Sequence, residues 1–138
     1  MTLTYTADPS LTRDEIVALY TSVGWSAYTD DPERLEAAID ASLRVVTAWD
    51  GERLIGLARV VGDGLTIVYL QDILVVPGYQ RRGVGAELFR RAFEPFDNVR
   101  QKLLITDDDP QQLGFYEAMG FTQLENFEHP VRAFAKFT

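Results

Sequence analysis

The sequence predicts a mixed α/β domain: a mostly antiparallel central sheet with one parallel pair, flanked by about four helices. Three observations lead there. Apolar residues recur with period two in some stretches and with helical spacing in others, along the whole chain. Three strand-like runs between Val45 and Val76 are joined only by turn signals, which makes them antiparallel neighbours. A strand–helix–strand passage over residues 65–106 then requires a crossover and so a parallel pair. With 138 residues, 46% hydrophobic and 25% charged, the chain reads as one globular domain over 1–138, without linker or repeat.

The elements follow in order. Leu3–Thr6 reads as a short first strand. Thr12 and Glu15 form a capping box, and Ile16, Leu19 and Tyr20 carry a first helix to about Ser22. Gly24 breaks it. Asp31-Pro32 is a cap followed by proline at the first helical position, and Leu35, Ala38 and Ile39 stripe the second helix, which ends near Ser42. Val45–Trp49 is a strand, Asp50-Gly51 a hairpin signal, and Leu54–Val61 the returning strand. Gly62-Asp63-Gly64 turns the chain again into a β-rich run, Leu65–Val76, interrupted by polar Gln71 and Asp72. By alternation Tyr69 shares a face with Gln71. Pro77-Gly78 ends the run. Val84, Leu88, Phe89, Ala92 and Phe93 make the apolar face of the next helix, closed by Pro95. Val99–Thr106 is a fifth strand. Asp109-Pro110 starts a last helix running to about Met119 and stopping at Gly120. From Phe121 the chain is expected to return to strand, and alternation makes Val131–Phe137 the final one.

Composition removes several chemistries. With no cysteine there is no disulfide, thiolate metal site or acyl-cysteine intermediate, and a reducing cytoplasm fits. The single histidine, His129, rules out a two-histidine metal site within one chain, so no metal is expected. There is no G-x-S-x-G elbow. No apolar run reaches about 18 residues, and the N-terminus lacks the basic-then-apolar order of a secretory signal; no membrane is expected. The net charge of −8, from 13 basic and 21 acidic residues, repels nucleic acid and would favour a cationic substrate; the plainer alternative is an ordinary acidic surface.

The stretch Gln80-Arg81-Arg82-Gly83-Val84-Gly85-Ala86 stands between a strong strand and a strong helix. Amides at a helix start lack intrahelical acceptors and attract phosphate oxygens. Gly83 and Gly85 let a pyrophosphate approach the backbone, and Arg81 and Arg82 add charge; the plainer alternative is a tight turn with a solvated basic tip. The Walker pattern is absent, and Leu88 occupies the third glycine position of the dinucleotide fingerprint.

Val75-Val76-Pro77-Gly78-Tyr79-Gln80-Arg81-Arg82-Gly83-Val84-Gly85 resembles the central motif of the GCN5-related N-acetyltransferases (GNAT), with its Q/R-x-x-G-x-G/A signature. Gly114-Phe115-Tyr116-Glu117-Ala118-Met119-Gly120-Phe121 resembles that family's F-Y-x-x-x-G-F motif, one helix and one strand further on. The stretch Asp63-Gly64-Leu65 through Gln71-Asp72-Ile73-Leu74 is similar to small plant-type serotonin and arylalkylamine N-acetyltransferases and their bacterial relatives. The resemblance implies the GNAT acyltransferase fold, in which the parallel strands splay. It also implies acetyl-CoA as cosubstrate, a small-molecule amine as acceptor, and a homodimer by analogy. Its pyrophosphate loop maps onto Arg81, Arg82, Gly83, Val84, Gly85 and Ala86, and its pantetheine strand onto Ile73, Leu74 and Val75. Where many members carry Asn, this chain has Asp109, a cofactor contact or only a helix cap.

Transfer requires a neutral amine and a proton for the leaving thiolate. The resemblance puts Tyr116 in the general-acid position; by spacing alone it is a core aromatic. Asp72, a charge within an apolar strand, is the candidate base, or else the partner of an arginine. Gln71 could orient a water. Trp25, Tyr28, Tyr69, Asp30 and Asp31 could line an acceptor site for an arylalkylamine or another cationic amine; the alternatives are core packing for Trp25 and capping for Asp31. Arg90 and Arg91 could reach a CoA phosphate or simply face solvent. The expected activity is acetyl transfer from acetyl-CoA to a small primary amine by direct attack. Its rivals are a non-catalytic acetyl-CoA sensor or regulatory module and a protein or peptide N-acetyltransferase.

Overall fold

The computed structural model describes residues 2–138, which fall into two compact units, one ending at Ile105 and one from Thr106 to Thr138. The first unit holds five strands in the spatial order of the sequence: β1 (Leu3–Ala7), β2 (Arg44–Asp50), β3 (Arg53–Gly62), β4 (Ile67–Val75) and β5 (Gln101–Leu104). The first four are antiparallel neighbours; β4 and β5 are parallel, joined by helix α4 (Val84–Phe93). This is the predicted meander followed by one crossover.

Helix α1 (Arg13–Ser22) starts on the predicted capping box: the Glu15 amide donates to Thr12 Oγ1 at 3.1 Å and the Thr12 amide to Glu15 Oε1 at 2.9 Å. It buries Ile16, Leu19 and Tyr20. Helix α3 (Pro32–Asp40) begins on Asp31, whose carboxylate accepts from the Arg34 amide. Between them lies a single turn, α2 (Ser26–Thr29), which the sequence reading left as a connection; four residues are too few for a periodic signal.

Seven consecutive residues of β3, Leu54–Val60, are buried, so both faces of the strand are covered. Helix α4 packs on β2, β3 and β4. A side chain at Gly56 would meet Leu88 of that helix, which places α4 on the face of Gly56, Ala58 and Val60. Leu57, Arg59 and Val61 alternate to the opposite face, where Arg59 reaches Tyr28 of α2.

The register of β3 with β4 holds an irregularity that simple alternation misses. Arg59 pairs with Asp72 and the next residue, Val60, with Leu70, so Gln71 is an extra residue on β4. Tyr69 is opposite Val61. Arg59 and Val61 share a face, and therefore Tyr69 and Asp72 do too. Pairing of β4 with β5 covers only Ile67–Leu70, while pairing with β3 continues to Val75.

The second unit contains α5 (Pro110–Ala118), started by Asp109 and followed by Gly120 at φ 92°, as expected. The strands expected from Phe121 and at Val131–Phe137 do not form: no strand follows Leu104 among the described residues. Phe134 is 97% and Phe137 83% exposed. Alternation supplies two faces, but a strand also needs a ladder of backbone hydrogen bonds to a partner strand, and this segment forms none. Likewise β5 is four residues rather than eight, and β4 begins at Ile67 rather than Leu65. There the Asp63 carboxylate gathers the Leu65, Thr66 and Ile67 amides into the turn, holding its own pKa far below the ordinary carboxylate value. Among the described residues no helix is long and apolar enough to cross a membrane, and no group of three metal-ligating side chains occurs.

Gly62, which opens this turn, has φ 132°, and a Cβ there would land on the Ile67 carbonyl oxygen. Gly62→Ala should lower the unfolding free energy by about 2 kcal/mol or more, read from the urea midpoint.

Candidate functional site

The centre of the first unit is a buried ion pair. Arg59 Nε–H donates to Asp72 Oδ2 at 2.6 Å, and the residues are only 5% and 4% exposed. Two tyrosines complete the carboxylate's shell: Tyr20 donates to Oδ2 at 3.0 Å and Tyr28 to Oδ1 at 2.8 Å. Arg59 also donates to Ser42 Oγ at 3.3 Å and to the Tyr28 hydroxyl at 3.4 Å. Strands β3 and β4 and helices α1 and α2 thus meet at one carboxylate, and Ser42, two residues past α3, joins them through Arg59. Burial drives the Tyr20 phenol far above its ordinary range, and the Asp72 charge adds to it. Burial is the largest influence on the Arg59 cation and works against it, but the charge and hydrogen bond of Asp72, with Tyr20 and Tyr28, together outweigh it and raise the guanidinium's pKa.

The network opens to solvent through Tyr28. Its hydroxyl accepts from Nε2 of exposed Gln71 at 3.2 Å. Tyr20, Trp25 and Tyr28 form an aromatic cluster with ring centres 5.3–6.2 Å apart, Trp25 at its exposed edge. Tyr69, half-buried, lies on the same face; burial first, and the neighbouring Tyr28 second, raise its pKa. Four expected acceptor-site residues, Trp25, Tyr28, Tyr69 and Gln71, therefore gather around Asp72. Asp31 is taken up by capping α3, and Asp30 is exposed.

Sequence reasoning missed Arg59 and Tyr20. Arg59 had a readable signal: a lone cation within Leu57-Ala58-Arg59-Val60-Val61, facing a lone anion in the next strand. Tyr20 was placed in the core by its spacing, correctly, but its hydroxyl partner lies 52 residues away.

The second feature is the loop after β4. Gly83 has φ 79° and caps α4, and nothing lies within 4 Å of a Cβ built there. The Glu87 amide is bonded to the Gly83 carbonyl, so the Val84, Gly85 and Ala86 amides precede the first intrahelical acceptor. Arg81, exposed, is itself left-handed at φ 64°. Exposed Arg82 and Arg53 each lie 5.6 Å from the centre of the Tyr79 ring, and the Tyr79 hydroxyl donates to Asp50. Arg90 and Arg91 are engaged with Glu87 at 2.6 and 2.7 Å, and their hydrogen bonds pull its pKa down to about 2. Between the two features lie Ile73, Leu74 and Val75, paired with β3 on one edge and beyond the last β5 pair on the other.

In the second unit Tyr116 is buried in α5; burial raises its pKa, against a hydrogen bond from Thr106. Asp109 accepts from the Gln111 amide at 3.1 Å, which is the capping alternative.

The sequence profile of the acetyltransferase (GNAT) domain matches residues 9–130. The chain belongs to the GNAT acetyltransferase family. An uncharacterized N-acetyltransferase of Prochlorococcus marinus is 32% identical over 112 residues, 78% of this chain and 61% of that protein. A chloroplastic GCN5-related N-acetyltransferase of Arabidopsis thaliana is 27% identical over 117 residues, 80% of this chain and 56% of that protein. The chain therefore spans about three-fifths of the length of these relatives. A solved GNAT-family protein of Streptococcus pneumoniae is 33% identical, with 98% of each chain covered and a TM-score of 0.85. The GNAT fold implies acetyl-CoA use. The loop fits that ligand: the space a side chain at Gly83 would fill is open, and the amides beside it face no helical carbonyl.

Removing one partner of the buried pair strands the other. Arg59→Met should cost about 3–5 kcal/mol in chemical denaturation. Arg59→Met with Asp72→Leu should cost clearly less than the single change.

Proposed function

We propose that this GNAT domain is an acetyl-CoA-dependent N-acetyltransferase whose acceptor is the primary amine of a small molecule. One observation supports it above the others: a left-handed glycine with open space at its missing side chain begins α4, a short loop after a strand whose last residues are paired on one edge only. Acetyl-CoA, as substrate, supplies an activated acetyl thioester. The Val84, Gly85 and Ala86 amides and the Arg81 and Arg82 cations would hold its pyrophosphate. The open edge of Ile73–Val75 would pair with the pantetheine arm as an added strand does.

The transfer forms a C–N bond and breaks the C–S bond; nitrogen loses a proton and sulfur gains one. Tyr116 is suited to supply the sulfur's proton, because burial keeps its phenol protonated beyond the ordinary tyrosine range. Asp72 is less suited to take the nitrogen's proton. Three donors already engage its carboxylate, one of them a guanidinium at 2.6 Å, so its role in this reading is to hold Tyr20 and Tyr28. Asp109 serves as a cap rather than a ligand contact.

Gly83→Glu should abolish acetyl-CoA binding in calorimetry, well beyond the effect of Gly83→Ala, which carries the same left-handed backbone strain without the bulk and charge. Tyr116→Phe should lower turnover about 10²-fold with acetyl-CoA affinity retained. Release of free thiol with a panel of amines and peptides separates an amine acetyltransferase from a peptide acetyltransferase; no release with any acceptor would leave a binding module.

A further inference from the structure

We propose that the acceptor subsite is the outward side of the Tyr28 hydroxyl, and that it takes the amine in its neutral form; this rests on the acetyltransferase reading above. The single proton of that hydroxyl is committed to Asp72 at 2.8 Å, so toward solvent the oxygen can only accept. Its present outward donor is the amide of Gln71, at 3.2 Å from a residue that is otherwise exposed. An amine N–H can replace that amide at the same oxygen, and the freed Gln71 side chain can accept a second N–H through its own oxygen. A neutral amine bound this way keeps its lone pair for the acetyl carbon.

The charges around the hydroxyl decide against the ammonium form. Asp72 contributes no net attraction, because Arg59 neutralises it at 2.6 Å. Arg59 is itself close: its guanidinium carbon lies 5.9 Å from the Tyr28 ring centre, and Nη2 lies 3.4 Å from the hydroxyl. A second cation at that oxygen would sit beside the first, with the Asp72 charge already spent on Arg59. The other groups facing the cluster are Tyr20 from α1, Ser42 from the residues after α3, and Tyr69 from β4. None is an unpaired anion. The Asp31 carboxylate faces the Arg34 amide and side chain instead. The predicted preference for a cationic acceptor, drawn from the acidic composition, does not extend to this corner. The subsite is aromatic and net-neutral, and it favours amines that lose their proton easily.

The test is calorimetric binding of 2-phenylethylamine to the CoA-saturated protein between pH 7 and 9. Alkylamines have a pKa of about 10, so the neutral fraction grows roughly tenfold per pH unit in this range. The apparent Kd should fall by about the same factor per unit. The less basic 2,2-difluoro-2-phenylethylamine should bind more tightly at pH 7 and show a much flatter profile. Tyr20, Tyr69 and Arg59 all have pKa values raised above their ordinary ones, so none of them supplies such a slope. Tyr28→Phe should weaken amine binding at least tenfold while acetyl-CoA binding is retained. Gln71→Glu, a change at an exposed position, should flatten the slope by adding an anion for the ammonium. A pH-independent Kd in the unaltered protein, no binding of either amine, or unchanged affinity in Tyr28→Phe overturns the proposal. If amine binding behaves as expected but no thiol is released with any acceptor, the acetyltransferase reading fails and the subsite stands as a binding site.

Discussion

A single buried carboxylate organises the first unit. Asp72 is 4% exposed and anionic groups are costly at that depth, so everything around it is arranged to satisfy it. The guanidinium comes from the neighbouring strand, one phenol from α1 and another from α2. Remove the carboxylate and these elements lose their common partner; keep it, and each is fixed in rotation as well as position. The pair thus adds little to the apolar core in area. What it adds is specificity, because a hydrogen-bonded cluster tolerates one arrangement where an oily contact tolerates several.

Most of the first unit was legible because its signals are local. Capping residues start α1 and α3 where expected, glycines and aspartates turn the hairpins, and the change of period separates strand from helix. The crossover could be inferred from element order alone. The failures share a cause: they depend on partners distant in the chain. The extra residue at Gln71 is invisible without the register of β3. Val131–Phe137 has a strand's alternation and no partner strand. The shortness of β5 likewise reflects where β4 stops accepting it.

The candidate site divides along the same line. The glycine loop was readable because backbone conformation is encoded in the residues themselves: Gly83 is left-handed and nothing crowds it. The polar cluster was half readable. Gln71 and Asp72 stood out as polar residues in an apolar run, and Trp25 and Tyr28 as aromatics in a connection. Their chemistry was not, because the role of Asp72 is set by Arg59, 13 residues earlier, and by Tyr20, 52 residues earlier. The carboxylate that the sequence offers either as a base or as the partner of an arginine is held in the structure by a guanidinium and two phenols.

The supernumerary residue on β4 also bears on how such a chain can change over time. Asp72 faces Arg59 only because the strand counts one position more than its neighbour between Leu70 and Asp72. Substitutions along this stretch alter one side chain each. A deletion at Gln71 would remove only that spare position: the ladder would close with Leu70 still opposite Val60 and Asp72 still opposite Arg59. A deletion beyond Asp72 has no spare position to absorb it and would turn every side chain that follows to the other face. Tolerance to a change of length along this strand is therefore concentrated at one residue, and libraries built on this scaffold should leave the number of residues alone everywhere in it but there.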